Sequence, residues 1–374
     1  MQRDRGTPAV LLLEDGKAFH GTAYGAPGSS LGEVVFCTAM SGYQETLTDP
    51  SYRRQILVAT APQIGNTGWN DEDDESDRIQ VAGYVLRDPC RTPSSWRSRR
   101  GLDEELARQG VVGISEVDTR AVARHVRRRG AMRAGVFAGP AATRPVAELT
   151  ELVLAGPMMS GADLAVEVST TTGHVVPAVG PVRFRVAAID LGAKANSFRM
   201  LSARGIETHV LPAGSGLDTV LAVEPRGVFL SNGPGDPAAM DGPVALAREL
   251  LARRMPVFGI CFGHQILGRA LGRPTYKMKF GHRGVNVPVV DAVRNRVSIT
   301  AQNHGFAVAA EPGERFASDF GRVEVSHHCP NDGTAEGLLC LDVPAFSVQY
   351  HPEAAAGPHD AEYLFDQFVE LVDA

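Results

Sequence analysis

From residue 183 onward the sequence alternates short apolar runs with helical ones, and that rhythm leaves few folds open. FRVAAIDLG reads as a buried strand, ANSFRMLSARG as a helix ended by Gly205, and IETHVLPA as the next strand. GVFLSNGPGDP is a strand running into a glycine loop, VALARELLARR a helix, and MPVFGI a strand that ends on Cys261. Parallel strands need crossover connections, so this alternation predicts an α/β domain with a mainly parallel sheet covered by helices. In open sheets of this kind sites lie at the carboxyl ends of strands, where both SNGPGDP and GICFGHQ fall.

The first part of the chain has a different texture. Strand-like runs (AVLLLED, EVVFCTAM, QILVATA) are mixed with loops and one clear helix, DTRAVARHVRRRG, which Asp118 or Thr119 can cap and Gly130 stops. Its arginines sit at the end that offsets the helix dipole, so they need no nucleic acid to explain them. Between 153 and 182 Gly, Pro, Ser and Thr punctuate short apolar pieces. The expected organisation is an N-terminal mixed α/β domain over 1–152, a connection over 153–182 and the alternating domain over 183–374. A chain of 374 residues, 44% hydrophobic, has the length and apolar content for two cores.

A formal charge of -6 argues against a general polyanion binder, because nucleic-acid affinity rests on Lys and Arg neutralising phosphates. Five cysteines at irregular spacing, without a CxxC pair, suggest a reducing compartment. The short run AVLLL, closed by Glu14 and Asp15, lacks a signal-peptide core, and no apolar run reaches the roughly 18 residues of a membrane span. The expectation is a cytoplasmic protein. The acidic run DEDDES at 71–76 lacks the alternation, central Gly and trailing Glu of a calcium loop, and reads as a solvated loop. The HHC at 327–329 has no matching ligand pair, so no metal is expected.

Chemistry concentrates at VFGICFGHQILG. Gly259 and Gly263 flank Cys261 at two residues on either side, the form of a nucleophile elbow with sulfur in place of oxygen. A thiol there lies at a helix N-terminus, where unpaired N–H groups favour thiolate. A thiol also calls for a base, and FSVQYHPEA offers one: His351 and Glu353 flank Pro352 in a segment that proline biases toward extended geometry, so the carboxylate can orient the imidazole. GPGDPA at 233–238 fits a loose dinucleotide pattern, yet Pro234 and Pro237 remove N–H donors a diphosphate would need. That loop can instead add a backbone N–H to an oxyanion hole beside the N–H of Phe262.

GICFGHQ with QYHPE resembles the class I, or triad, glutamine amidotransferases. SNGPGDP, KMKFGH, ITAQNHGFAV and, in the first domain, TAMSGYQETLTDPSY and APQIGNTG narrow the resemblance to the small, glutamine-hydrolysing subunits of carbamoyl-phosphate synthetases, over essentially the whole chain. The resemblance implies that Cys261 attacks the glutamine carboxamide, His351 shuttles the proton and Glu353 orients His351. It places glutamine contacts on Ser51, Gly233, Gly235, Phe262, Gln265, Asn303, Gly305 and Phe306. Phe262 stands where leucine is common, but the role there belongs to a backbone N–H. The family's partner is a large subunit that uses ATP and magnesium; this chain has no GxxxxGK[ST] loop and no cofactor of its own is expected. The competing readings are a glutaminase serving another synthetase, such as the anthranilate or guanylate systems, a non-catalytic homologue that scaffolds the large subunit, and a cysteine peptidase on the same elbow.

Overall fold

The computed structural model describes residues 6–374, which form two compact units, one up to Met159 and one from Ser160 onward. In the first, seven strands close into a barrel in the order Pro8–Leu13, Ala18–Gly25, Val112–Ser115, Gly83–Val85, Gln55–Ala59, Gly28–Cys37, Met132–Ala138. Closure removes the exposed edges that so many short strands would otherwise present. Leu11, Val35, Leu57, Val58, Ile114 and Val136 are wholly or almost wholly buried. The expected helix is Thr119–Arg129; the Asp118 carboxylate accepts from Ala121 N at 3.0 Å, and the chain leaves the helix through Gly130 at φ 106°.

The acidic run of the first unit is more than a solvated loop. Arg97 pairs with Glu72 at 3.0 Å and Asp73 at 2.6 Å, and Gln44 donates to Asp74 at 2.8 Å. Glu75 is buried, its N–H donating to Thr48 Oγ1 at 2.9 Å. The arginine and glutamine that pin the run lie far from it in sequence, so its composition alone conveys only its exposed half.

The second unit is built on a sheet whose parallel part runs Ile206–Pro212, Phe184–Asp190, Gly227–Leu230, Val257–Ile260, Ala345–Val348. Beyond Ala345–Val348 the sheet continues antiparallel through Ala335–Cys340 and Gly321–His328 to the long hairpin Thr275–Asp291 and Arg296–Val308. Side chains alternate across the parallel strands: Ala187 and Ile189 enter one core, Val186 and Ala188 the other. The first core packs Leu230, Ile266 and Leu267; the second is aromatic, with Phe258 stacked on Phe346 at 4.5 Å and Phe365 edge-on at 5.7 Å.

The stretch 153–182 holds the end of helix Val146–Ala155, the short helix Ala165–Val168 and the strand His174–Val176, which pairs antiparallel with Ile206–Pro212. Part of the expected connection thus serves as an edge of the second sheet. Among the described residues no helix is long and apolar enough to cross a membrane.

Candidate active site

Strand Val257–Ile260 delivers Cys261 to the carboxyl edge of the sheet, and helix Phe262–Ala270 starts directly after it. Cys261 has φ 53° and ψ -97°, a conformation costly for a side chain with a Cβ and held here by its surroundings. Its N–H donates to Val348 O at 2.8 Å, and Gly263 N–H to Ser231 O at 3.0 Å. The flanking glycines are required by close approach: a Cβ on Gly259 would lie 2.7 Å from Gly263 O, and one on Gly263 would lie 2.2 Å from Leu230 O. The sharp turn expected from the spacing is present.

His351 follows the neighbouring parallel strand Ala345–Val348, whose register sets Ile260 opposite Val348. Cys261 and His351 therefore leave adjacent strands at the same edge. His351 N–H donates to Ala301 O at 2.9 Å, tying the imidazole's backbone to the hairpin, and its Nδ1–H donates to Glu353 Oε1 at 2.6 Å. That bond fixes the tautomer and leaves Nε2, which is buried and makes no hydrogen bond to any described residue. All three side chains are buried, at 2% exposure for Cys261 and His351 and 1% for Glu353.

Electrostatics favour a charged pair. Burial and the Lys194 ammonium push the His351 pKa down, but the Glu353 carboxylate and the nearby Cys261 sulfur outweigh them and hold it above its ordinary value. Burial pushes Glu353 up, yet Lys194 first and His351 second hold it well below the usual carboxylate range. Lys194 is the residue the sequence reading missed. It stands at the position before helix Ala195–Ser202, just past strand Phe184–Asp190, and its Nζ lies 3.1 Å from Glu353 Oε1. Asn196 from the same turn donates to the Glu353 carbonyl at 2.5 Å. The only sequence signal for Lys194 is a lysine just past a strand's carboxyl end.

The expected glutamine contacts of the second unit gather around this edge. The loop bearing Gly233 and Gly235 leaves strand Gly227–Leu230; Gly235 has φ 100°, and a Cβ on Gly233 would lie 2.1 Å from Leu191 O. Gln265, on the helix, donates through Nε2 to Phe306 O at 2.8 Å and to Gln349 Oε1 at 3.0 Å. Asn303, Gly305 and Phe306 lie on strand Arg296–Val308, and the Asn303 carbonyl sits 3.6 Å from Cys261 Sγ. Phe262 is first in its helix, where the N–H has no acceptor within the helix, while its ring packs in the core with Ile266 and Leu267. The ring thus fills the core, while the backbone N–H stays at the start of the helix. Ser51 belongs to the first unit, in the turn Pro50–Tyr52; it is buried, and its N–H donates to Asp49 Oδ1 at 2.9 Å.

A second polar cluster that the sequence did not reveal sits on the hairpin itself, where His282 and His304 are cross-strand partners. His282 donates through Nε2 to Asp332 at 2.8 Å and through Nδ1 to Glu336 at 3.2 Å. Burial alone would lower its pKa, but Glu336 and Asp332 outweigh it and raise it to about 9, so the imidazole is cationic near neutrality. His304 donates from Nδ1 to Phe306 O at 2.8 Å. His282, His304 and Glu336 bring ligand atoms within 4.8 Å of one another, as do His282, Cys329 and Asp332, and the hydrogen bonds from His282 to both carboxylates tie these side chains together. Cys329 is in that neighbourhood, whereas His327 turns to Ser326 at 2.9 Å and to Tyr363 at 3.4 Å, so HHC is no single cluster.

Residues 11–136 match the family described as "Carbamoyl-phosphate synthase small chain, CPSase domain", and residues 187–371 match "Glutamine amidotransferase class-I". A protein named carbamoyl phosphate synthase small chain from Streptomyces avermitilis is 62% identical over 98% of this chain and 96% of its own. The chain belongs to the carbamoyl-phosphate synthase small chain family. The small chain of Mycobacterium tuberculosis is likewise 62% identical, over 97% of this chain and 98% of its own. A crystal structure of a glutamine amidotransferase from Thermotoga maritima is similar over 51% of this small chain and 84% of that protein, at 17% identity and a TM-score of 0.36.

Proposed function

We propose that this chain is the glutaminase subunit of a carbamoyl-phosphate synthetase, with Cys261 as nucleophile, His351 as proton carrier and Glu353 as the group that orients it. The observation that carries the assignment is the strained Cys261 turn beside the 2.6 Å His351–Glu353 bond at one sheet edge. The sulfur attacks the carboxamide carbon of glutamine, and the developing oxyanion is met by backbone N–H groups of Phe262 and the Gly233 loop. The carbon–nitrogen bond breaks as the imidazolium of His351 gives its proton to the departing ammonia. A water, deprotonated by His351, then splits the thioester and returns glutamate and the thiolate.

Gly233, Gly235, Gln265, Asn303, Gly305, Phe306 and, from the first unit, Ser51 hold the substrate's amino-acid end in this reading. The ammonia passes to a large subunit that consumes ATP with magnesium and makes carbamoyl phosphate for arginine and pyrimidine synthesis. The small chain itself carries no cofactor and works in the cytoplasm. Ammonia released to water would be lost by protonation, so the free chain runs slowly and accelerates when the partner turns over.

The test is glutamate release by the isolated chain, then with a candidate large subunit, bicarbonate and ATP added stepwise. A rate that climbs only with the assembled, nucleotide-supplied complex supports the assignment. A rate unchanged by every addition, with no complex on a sizing column, defeats it. Cys261→Ser sharpens the result: synthesis from glutamine is lost while synthesis from added ammonium survives.

A further inference from the structure

Gln349 lies two residues before His351 and is fully buried, and a buried amide must spend its donors and acceptors on specific partners. Its backbone N–H donates to Glu336 O at 2.8 Å, which fixes the chain there. The orientation of its side chain follows from its neighbours by elimination. The Phe306 carbonyl can only accept, so the group of Gln265 facing it at 2.8 Å is the NH2. That same NH2 faces Gln349 at 3.0 Å, so Gln349 turns its carbonyl oxygen toward Gln265. The NH2 of Gln349 is then the end that lies 3.5 Å from Cys261 Sγ.

Besides the His351 imidazole, whose charge is coupled to it and which Glu353 and Lys194 face in turn, the sulfur has two polar neighbours of opposite kind. The Asn303 carbonyl, 3.6 Å away, can accept from a thiol but repels a thiolate. The Gln349 amide N–H can donate to a thiolate, and a charged acceptor makes that the stronger bond. Its donor sits at the end of a relay that begins on Gln265, a residue expected to touch substrate.

Resting on the assignment of Cys261 as nucleophile, we propose that Gln349 is a positioning residue for the reaction: its amide N–H holds the Cys261 sulfur, favours the thiolate, and links the substrate contact Gln265 to the nucleophile.

The test uses the full-length chain and iodoacetamide as probe, with the alkylated site identified by peptide mass mapping, in wild type, Gln349→Met and Gln349→Glu. Methionine keeps the length without a donor; glutamate keeps the shape and the acceptor for Gln265 but faces the sulfur with negative charge. In wild type, alkylation of Cys261 abolishes glutaminase activity; if activity survives that alkylation, the nucleophile assignment itself fails. With that arm passed, the pH of half-maximal alkylation moves up by about one unit in Gln349→Met and further in Gln349→Glu, equivalent to roughly tenfold less thiolate at a given pH. The kcat for glutamine falls about tenfold near neutrality and partly recovers at alkaline pH, while KM changes little. An alkylation profile that does not move in Gln349→Met overturns the proposal, even if activity falls, because a merely structural role would lower activity without shifting the titration; Gln349→Glu is the control for added charge, which moves the profile by repulsion in either case. Should Gln349→Met fail to fold, Gln349→Leu, which also lacks the donor, is read in its place.

Discussion

The ammonium of Lys194 sits 3.1 Å from the Glu353 carboxylate, on the same oxygen that accepts the proton of His351 Nδ1 at 2.6 Å. One buried oxygen therefore serves two cationic partners. Lys194→Met removes the larger of the two influences that keep Glu353 ionised, so the carboxylate takes up a proton at higher pH than before. The acid limb of the kcat/KM profile for glutamine moves toward neutrality, and stability falls by about 1–3 kcal/mol, less than for a wholly isolated charge because His351 still faces the carboxylate. An acid limb left where it was would remove Lys194 from the account of Glu353.

With Glu353 as the orienting group and His351 as the proton carrier, as proposed, replacing the first costs less than replacing the second. Glu353→Gln keeps an acceptor beside His351 Nδ1 and loosens its aim, so turnover drops by less than it does in His351→Asn. His351→Asn removes proton transfer to the leaving ammonia and costs about three orders or more. Single-turnover trapping of the thioester separates the two: a thioester that forms and decays at the normal rate in His351→Asn would exclude His351 as the proton carrier.

Ser51→Ala tests the contribution of the first unit. If its hydroxyl holds the amino-acid end of glutamine, KM rises about two- to tenfold while turnover of bound substrate is little changed, since the contact is remote from the breaking bond. An unchanged KM would take Ser51 out of the binding set.

The His282 brace makes stability fall on the alkaline side. Its pKa is raised from 6.5 to about 9 on folding, so its contribution is complete below the lower value and lost as pH rises through the upper one. The melting temperature of wild type should exceed that of His282→Gln by most near pH 6, and the gap should close above about pH 9. A gap independent of pH would mean that the imidazole is not held charged between Asp332 and Glu336.

The parts of the site that are local in sequence could be read from it. Gly259, Cys261 and Gly263 form a turn within one pentapeptide, and His351 reaches Glu353 across one proline, so spacing carries their geometry. Parallel strands with their crossover helices could be read for the same reason. The antiparallel hairpin Thr275–Asp291 with Arg296–Val308 was harder, because two register shifts break the alternation that would announce it. Closure of the first unit depends on strands Pro8–Leu13 and Met132–Ala138 meeting from opposite ends of that unit, which no window of sequence contains. The contacts of Lys194 and Gln349 could not be read, although Gln349 stands in QYHPE, because a single lysine or glutamine has no spacing; only the fold brings each to its partner.

The pairing of Val257–Ile260 with Ala345–Val348 also decides when the chain becomes an enzyme. Everything between those strands, including helix Phe262–Ala270 and the whole antiparallel hairpin, must be synthesised before Val348 can accept the N–H of Cys261. Such a non-local pairing is slow to form and comes after the local elements. A chain synthesised only as far as helix Phe262–Ala270, or one in which this pairing has come apart, therefore carries the thiol without its imidazole partner.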